Sequence, residues 1–519
     1  MQNNIDIKNK KIVILILLFI ILLQISIRIY AGKEKTGYYW DEPLSYSLMN
    51  YDAMHISDKQ GFLGNWNNGK EYCNDYYQVN KDEIWNWQPI YTNQANDVHP
   101  PIYYILLRCA ASFTIDSYSK WTGIGLNIII SVASTIVIYF IAKELFKNKV
   151  WALLICFAVT TSITAVETTI FIRMYELVML NFLLLTLWFV KNYDKTSLDI
   201  KSLILFVICL VTGFLTQYYY LIFAFELVLI MIIKLIRAKK TKECIKIIVA
   251  SLVASVIAIC LFPPCIKHLL YSNRGVEAAK NVGDFANIWE KIVKYLNLIS
   301  DHTFNVSIII INIALIIFFI IYIVKKIKIE KKIVLLSIVS AFYTIVIIKI
   351  APYIEIRYVC AICSILIIIA IYWMKICLEA ILRKEWAIGI GIIICLLVFS
   401  ISLQRYDKTT YSFYNEKDLV EELKDKTILM INEGNEKFYI TPEVYSILYE
   451  SDKFYCMFDE NFNQIEEVLQ KIENEESLYV FLLPTINQCT YINKILNVNI
   501  YNKVDIAGNC RYFNVYKFN

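Results

Sequence analysis

Two carboxylates stand side by side in Tyr39-Trp40-Asp41-Glu42-Pro43, shortly past the first long apolar stretch of the chain. A carboxylate there can take a proton from a hydroxyl if burial and neighbours tune it. The plainer reading is a helix start, with Asp41 capping and Pro43 in the first turn, where a missing N–H costs nothing. A second group is Asp97-Val98-His99-Pro100-Pro101-Ile102-Tyr103-Tyr104, with Arg108 further along. The diproline fixes the backbone and opens a helix, and the alternative reading is an interfacial helix start with aromatic anchors. Two arginine sites follow, Arg173-Met174-Tyr175-Glu176 and Glu355-Ile356-Arg357-Tyr358. A guanidinium offers a rigid fork of donors to a phosphate or carboxylate. The duller readings are an Arg173–Glu176 pair one helical turn apart, and an Arg357 that pairs with Glu355 or snorkels.

Membrane spans must position these residues. Of 519 residues, 58% are hydrophobic, and the mean hydropathy is +0.50. A soluble protein of this length could not hide so much apolar surface. A span needs about 20 mostly apolar residues. The first lies at 12–29 and lacks a cleavage site, so it reads as an uncleaved helix. Ten more fall near 121–142, 150–168, 174–190, 201–215, 218–236, 246–264, 306–324, 333–349, 358–374 and 386–404. With these eleven spans every basic cluster (143–149, 191–201, 234–246, 325–332, 375–384) falls on one side, together with the N-terminal lysines. The positive-inside rule makes that side cytoplasmic. The long 31–120 loop and the segment after Arg405 are then extracytoplasmic, and all four candidate groups share that face.

After Tyr406 the pattern changes. Short apolar runs at 427–431, 454–457, 478–483 and 512–516 alternate with amphipathic stretches such as 464–472, which predicts a small α/β domain. Its acidic stretches at 416–425 and 466–476 argue against a nucleic-acid partner. The reading is therefore a polytopic α-helical membrane protein with residues 1–405 as the transmembrane domain, including the 31–120 loop, and 406–519 as a soluble extracytoplasmic α/β domain. Most of the fourteen cysteines lie in or beside spans, whereas Cys73, Cys456, Cys489 and Cys510 are placed where they could pair. With four histidines and no Cys/His spacing, no zinc site is assigned. A divalent cation on Asp41, Glu42 and Asp97 is compatible with the residue types but not diagnosed by them.

The order of span, Asp-Glu, long outer loop, His-Pro-Pro-Ile-Tyr-Tyr, Arg-Met-Tyr and a late Arg-Tyr resembles the membrane-embedded GT-C glycosyltransferases. Within them it is most similar to the bacterial family resembling protein O-mannosyltransferases and the aminoarabinose transferases of lipid A. The resemblance covers roughly 10–405 and is strongest at 39–46 and 97–108. It implies Asp41 as catalytic base, with Glu42 beside it. His99, Arg108, Arg173, Tyr175, Arg357 and Tyr358 would face the donor phosphate, His99 standing where some relatives have lysine. Tyr39, Trp40, Asp97, Tyr103, Gln217 and Tyr218 would line the acceptor site or pocket. Gln217-Tyr218 departs from the His-Tyr of many relatives. The implied reaction is inverting sugar transfer from a polyprenyl-phosphate-linked donor to an envelope acceptor, whether glycan, lipid or protein. Such a reaction needs no nucleotide-sugar fold, in keeping with the lack of a Gly-rich loop. Two alternatives are a transporter or flippase of lipid-linked glycans, for which Glu226 in the sixth span is the pointer, and a non-catalytic envelope scaffold.

Overall fold

The structure is a computed structural model that describes residues 9–50, 59–283, 286–413, 416–433, 442–510 and 512–519. The chain separates into two compact units, one of residues 1–32, 94–103 and 124–409, the other of 33–93, 104–123 and 410–519.

The first unit is helical, and a helix occupies each of the eleven expected spans. Seven are long and apolar enough to cross a membrane: Lys10–Glu34, Lys120–Phe146, Thr241–Leu261, Ile308–Lys325, Lys331–Ile350, Cys360–Ile381 and Lys384–Leu403. Lys149–Thr160 and Ile163–Ile170 make an eighth if counted as one span bent by 53°. Of the remaining three, Ile200–Phe214 is shorter, Tyr175–Asn192 is less apolar, with Glu176, Asn181, Lys191 and Asn192, and Tyr220–Arg237 carries Glu226, Lys234 and Arg237. In Ile308–Lys325 no residue is fully buried, although Tyr322 packs on Trp373 of Cys360–Ile381 at 5.9 Å.

The bend at Thr161-Ser162 is a structural event in its own right. Inside a bilayer a broken helix leaves carbonyls that water cannot reach. Arg28, itself buried, donates to Thr160 O at 3.0 Å and Ala165 O at 3.2 Å, and the Tyr406 hydroxyl donates to Thr161 O at 2.7 Å. The second half-helix is capped by Ser162 Oγ, which accepts from the Ala165 N–H.

The second unit is built on a six-stranded sheet of β1 (Trp66–Asn68), β2 (Thr427–Asn432), β3 (Lys453–Phe458), β4 (Leu478–Leu482), β5 (Val504–Cys510) and β6 (Phe513–Phe518), in the order β1-β3-β2-β4-β6-β5. The central β2 runs parallel to β3 and β4, and the outer pairings are antiparallel. β4 is buried along its whole length, as a continuous apolar run in a strand covered on both faces requires. The apolar runs read from the sequence fall on β2, β3, β4 and β6; β5, with its Gly508 and half-exposed pattern, gave no such signal. β1 was also missed, because it comes from the long first loop. It pairs with β3 and is pinned by the Trp66 indole N–H to Val468 O at 3.0 Å. That pairing is why residues 33–93 group with the C-terminal segment rather than with the helical bundle. All fourteen cysteines are free thiols, Cys73, Cys456 and Cys510 buried and Cys489 exposed, so the outer cysteines form no disulfide.

The helix Gly69–Tyr77 starts against the helix Pro442–Glu450 and the turn that follows it. A Cβ on Gly69 would lie 2.2 Å from Leu448 O and 2.4 Å from Ser451 O, both backbone atoms that cannot swing away. Gly69→Ala is expected to cost about 1–3 kcal/mol through this overlap, read as a fall in apparent melting temperature of the purified protein. Gly125→Ala is the matched control: it sits in a helix with nothing within 4 Å of the added Cβ, and should leave that temperature unchanged or raise it.

Candidate active site

The acidic pair opens the helix Asp41–Asn50, and its two members have different surroundings. Glu42 is fully buried and bonded to Lys35 Nζ at 2.9 Å, the lysine being equally buried. The same carboxylate oxygen accepts the Tyr39 N–H at 2.6 Å, the backward reach of a capping glutamate. Lys35 Nζ also donates to Tyr411 O at 2.5 Å. Glu42 is therefore held in a structural ion pair. Asp41, one residue earlier, is partly exposed. Tyr39 and Trp40 in the preceding turn are partly exposed too, with Tyr39 edge-on to Tyr411 at 5.6 Å.

Arg108, expected near donor phosphate, is buried and engaged by backbone. Its guanidinium donates to Met49 O at 3.1 Å, to Asn50 Oδ1 and to Glu83 O at 2.6 Å. It thereby ties residues 49 and 50 of the helix Asp41–Asn50 to Glu83. The sequence could not separate this arginine from one that binds a ligand, since backbone acceptors leave no mark in composition.

In the helical unit, Asp97, His99 and Arg173 do come together. His99 Nδ1 lies 2.7 Å from Asp97 Oδ2, and Arg173 Nη2 lies 3.4 Å from the same nitrogen. With its Nδ1–H given to Asp97, the imidazole has no lone pair there for Arg173, so the 3.4 Å approach is two donors converging on one acid. Burial alone would raise the Asp97 carboxyl; the charge and hydrogen bond of His99 and the charge of Arg173 outweigh it and hold the carboxyl at about 2. The turn carrying Arg173 is set by Asn127, whose amide donates to Thr169 O and Phe171 O, both at 3.0 Å. The Tyr103 hydroxyl donates to Asn127 Oδ1 at 3.3 Å, which ties the His-Pro-Pro segment to the same turn. Tyr175 stacks on Phe171 at 5.6 Å. The expected pairing of Arg173 with Glu176 is replaced: Glu176 accepts from the Thr168 and Thr169 hydroxyls at 2.8 and 3.1 Å, and Thr169 Oγ1 in turn takes the Arg28 Nε–H at 2.9 Å.

Tyr218 joins this group through a residue the sequence reading passed over. Its hydroxyl lies 2.8 Å from His268 Nδ1, and His268 Nε2 faces Ala95 O at 3.5 Å. Burial lowers the His268 pKa, so this imidazole favours the neutral form. Being one of four histidines, and placed just after a second diproline, was the signal available. Gln217 bonds back to the Tyr218 N–H at 2.8 Å. The next residue, Tyr219, reaches the other arginine site, its ring 6.1 Å from that of Tyr358. There Arg357 Nε lies 2.6 Å from Glu355 Oε2, with the guanidinium 5.1 Å over the Tyr358 ring. The adjacent tyrosines 218 and 219 thus reach His268 on one side and Tyr358 on the other. Glu226 is buried in the helix that follows them. Among the described residues no three of His, Cys, Asp and Glu are grouped to hold a metal ion.

Residues 98–266 match the family model described as dolichyl-phosphate-mannose-protein mannosyltransferase. Among solved structures the chain is similar to ArnT from Cupriavidus metallidurans bound to undecaprenyl phosphate, with a TM-score of 0.52, 7% identity, and coverage of 96% of this chain and 97% of that one. The apo form of that enzyme gives 0.46 at 7% identity, with the same coverage. The archaeal oligosaccharyltransferase AglB from Archaeoglobus fulgidus, in complex with an inhibitory peptide and a dolichol-phosphate, gives 0.47 at 9% identity over 90% of this chain and 69% of that one. No curated protein matches the sequence. The fold argument rests on the first structure: the chain is a polytopic helical membrane protein of GT-C architecture carrying a small C-terminal α/β region. The family-model match supports glycosyltransferase activity of the GT-C type.

The Asp97 carboxyl gives a prediction with a definite sign. Its folded value of about 2 lies below the ordinary 3.8, so its contribution is present above the ordinary value and lost as pH falls through the folded one. Asp97→Asn should cost about 2 kcal/mol at neutral pH. The gap in apparent melting temperature between variant and wild type should close between about pH 4 and pH 2; a gap independent of pH would mean the carboxylate charge is not what holds His99 and Arg173.

Proposed function

We propose that this protein is an inverting glycosyltransferase that moves a sugar from a polyprenyl-phosphate-linked donor to an extracytoplasmic acceptor in the cell envelope. The observation that carries the reading is the Asp97–His99–Arg173 group: His99 and Arg173 lie within the stretch that matches a mannosyltransferase family model, in a chain of GT-C architecture. An arginine fork beside a carboxylate-held imidazole suits the phosphate that leaves as the glycosidic bond to the lipid breaks. Arg173 takes the donor phosphate in this reading. Arg357, next to Tyr358 and reached through Tyr219, makes the second contact by exchanging Glu355 for phosphate oxygen. Asp41 is the base that takes the acceptor hydroxyl's proton, and Glu42, locked to Lys35, fixes the turn that presents it. Undecaprenyl phosphate, the lipid bound in the ArnT structure, is the class of carrier lipid we assign here.

Asp41→Asn keeps the shape and removes the basicity. It should fold and insert normally, yet lose at least about 10² in transfer rate from a polyprenyl-phosphate sugar. Wild-type turnover by that variant would leave Asp41 a helix cap. The same reading places the second unit outside the cytoplasm, because the lysine-rich connections mark the other side. Cys489 is exposed in that unit. A membrane-impermeant maleimide applied to intact cells should label it, and Cys489→Ser should abolish that label; labelling only after permeabilisation would reverse the orientation.

A further inference from the structure

A cavity of about 390 Å³ opens within the second unit. It is walled by the ends of two membrane-length helices, Lys33 in the last turn of Lys10–Glu34 and Lys120 at the first residue of Lys120–Phe146, and by the C-terminal helices Lys417–Glu422 and Pro442–Glu450. Five lysines line it, at 33, 35, 120, 417 and 424, against two glutamates, 421 and 450. Three of the lysines have carboxylate partners: Lys35 with Glu42, Lys417 with Glu34 at 2.9 Å and Lys424 with Glu421 at 2.7 Å. Lys33 and Lys120 differ. Among the described residues neither has a carboxylate within ion-pair distance, and the Lys120 ammonium instead donates to the carbonyls of Lys33 and Lys35. Carbonyls orient an ammonium without neutralising it. Glu450, exposed on the wall, is the remaining acid that faces the space.

We propose that this cavity binds a phosphate monoester carried on a small polyol. A monoester bears about −1.5 to −2 charge at neutral pH, which matches two uncompensated ammonium groups. The hydroxyl of Ser119 on the wall offers a donor to its oxygens, and the exposed Trp121 ring suits the carbon skeleton behind them. The phosphate can arrive on the head group of a membrane lipid, since both lysines sit at ends of membrane-length helices, or on a soluble polyol phosphate. The site does not depend on the transferase reading, and its test measures no transfer.

The full chain is reconstituted in neutral phosphatidylcholine nanodiscs and titrated with glycerol 3-phosphate by calorimetry. In parallel, nanodiscs containing phosphatidic acid, which carries the same head group on acyl chains, are compared by apparent melting temperature and by retained lipid in native mass spectrometry. Lys33→Glu and Lys120→Gln are the variants; Lys33 is exposed, so reversing its charge tests the site even if Lys120→Gln fails to fold. Saturable binding of glycerol 3-phosphate, weakened at least about tenfold in Lys33→Glu, establishes the soluble ligand. Stabilisation and retention of phosphatidic acid alone, lost in Lys33→Glu, establishes the lipid head group. Binding of neither, or binding that Lys33→Glu leaves unchanged, overturns the proposal.

Discussion

A break in a membrane helix has to be satisfied from within the protein, and here Arg28 does much of it. Arg28 reaches from the first span to the carbonyls of Thr160 and Ala165, its Nε–H goes to Thr169, and the Tyr406 hydroxyl donates to Thr161 O. In a bilayer each unmet carbonyl would cost several kcal/mol. The half-helix Ile163–Ile170 is therefore fixed at the residue where Arg28 grips it, and the turn carrying Arg173 begins just beyond its end. Thr169 passes the contact on to Glu176 in the following helix. The buried arginine and glutamate are thus joined through a hydroxyl, which links them without bringing the two charged groups into direct contact. Arg173 is held clear of Glu176 by this network and meets His99 instead.

The same logic operates in the second unit with opposite consequences for two adjacent acids. A buried lysine and glutamate each lose hydration, and only good geometry and further hydrogen bonds compensate. Glu42 has both, through Lys35 and the Tyr39 N–H. Removing one partner would strand a buried charge, at a cost of about 3–5 kcal/mol. Asp41, one residue earlier, differs from it in being partly exposed.

Much of this was legible in the sequence, and what was hidden follows a pattern. The spans read directly from apolar length, and all eleven are occupied by helices. The strands of the C-terminal sheet read from short apolar runs, except β5, whose polar and glycine residues belong to an edge, and β1, whose three residues lie far away in the chain. Asp97, His99 and Arg173 were picked as separate signals on one face, and they meet. Arg108 was picked by the same reasoning and turned out to bind carbonyls. Composition shows that a cation is present; it cannot show whether a helix end lies in its reach. Lys35, Arg28 and His268 were missed for the converse reason, as each acquires its importance from a partner distant in the sequence.

The fate of each buried cation is decided by which acceptors its fold position supplies. Where a helix stops or breaks, the leftover carbonyls form a neutral but oriented set of acceptors. Arg28 occupies such a place, and Arg108 resembles it in that both guanidinium groups are anchored largely by backbone oxygen. A cation held this way keeps its full charge, since a carbonyl contributes a dipole and no counter-ion. A cation held by a carboxylate, like Lys35 or Arg357, has its charge offset at the point of contact. Arg173 falls between these cases. Asp97 takes the His99 N–H directly and feels the Arg173 charge as well, so one carboxylate ties the His-Pro-Pro segment to the turn that carries Arg173.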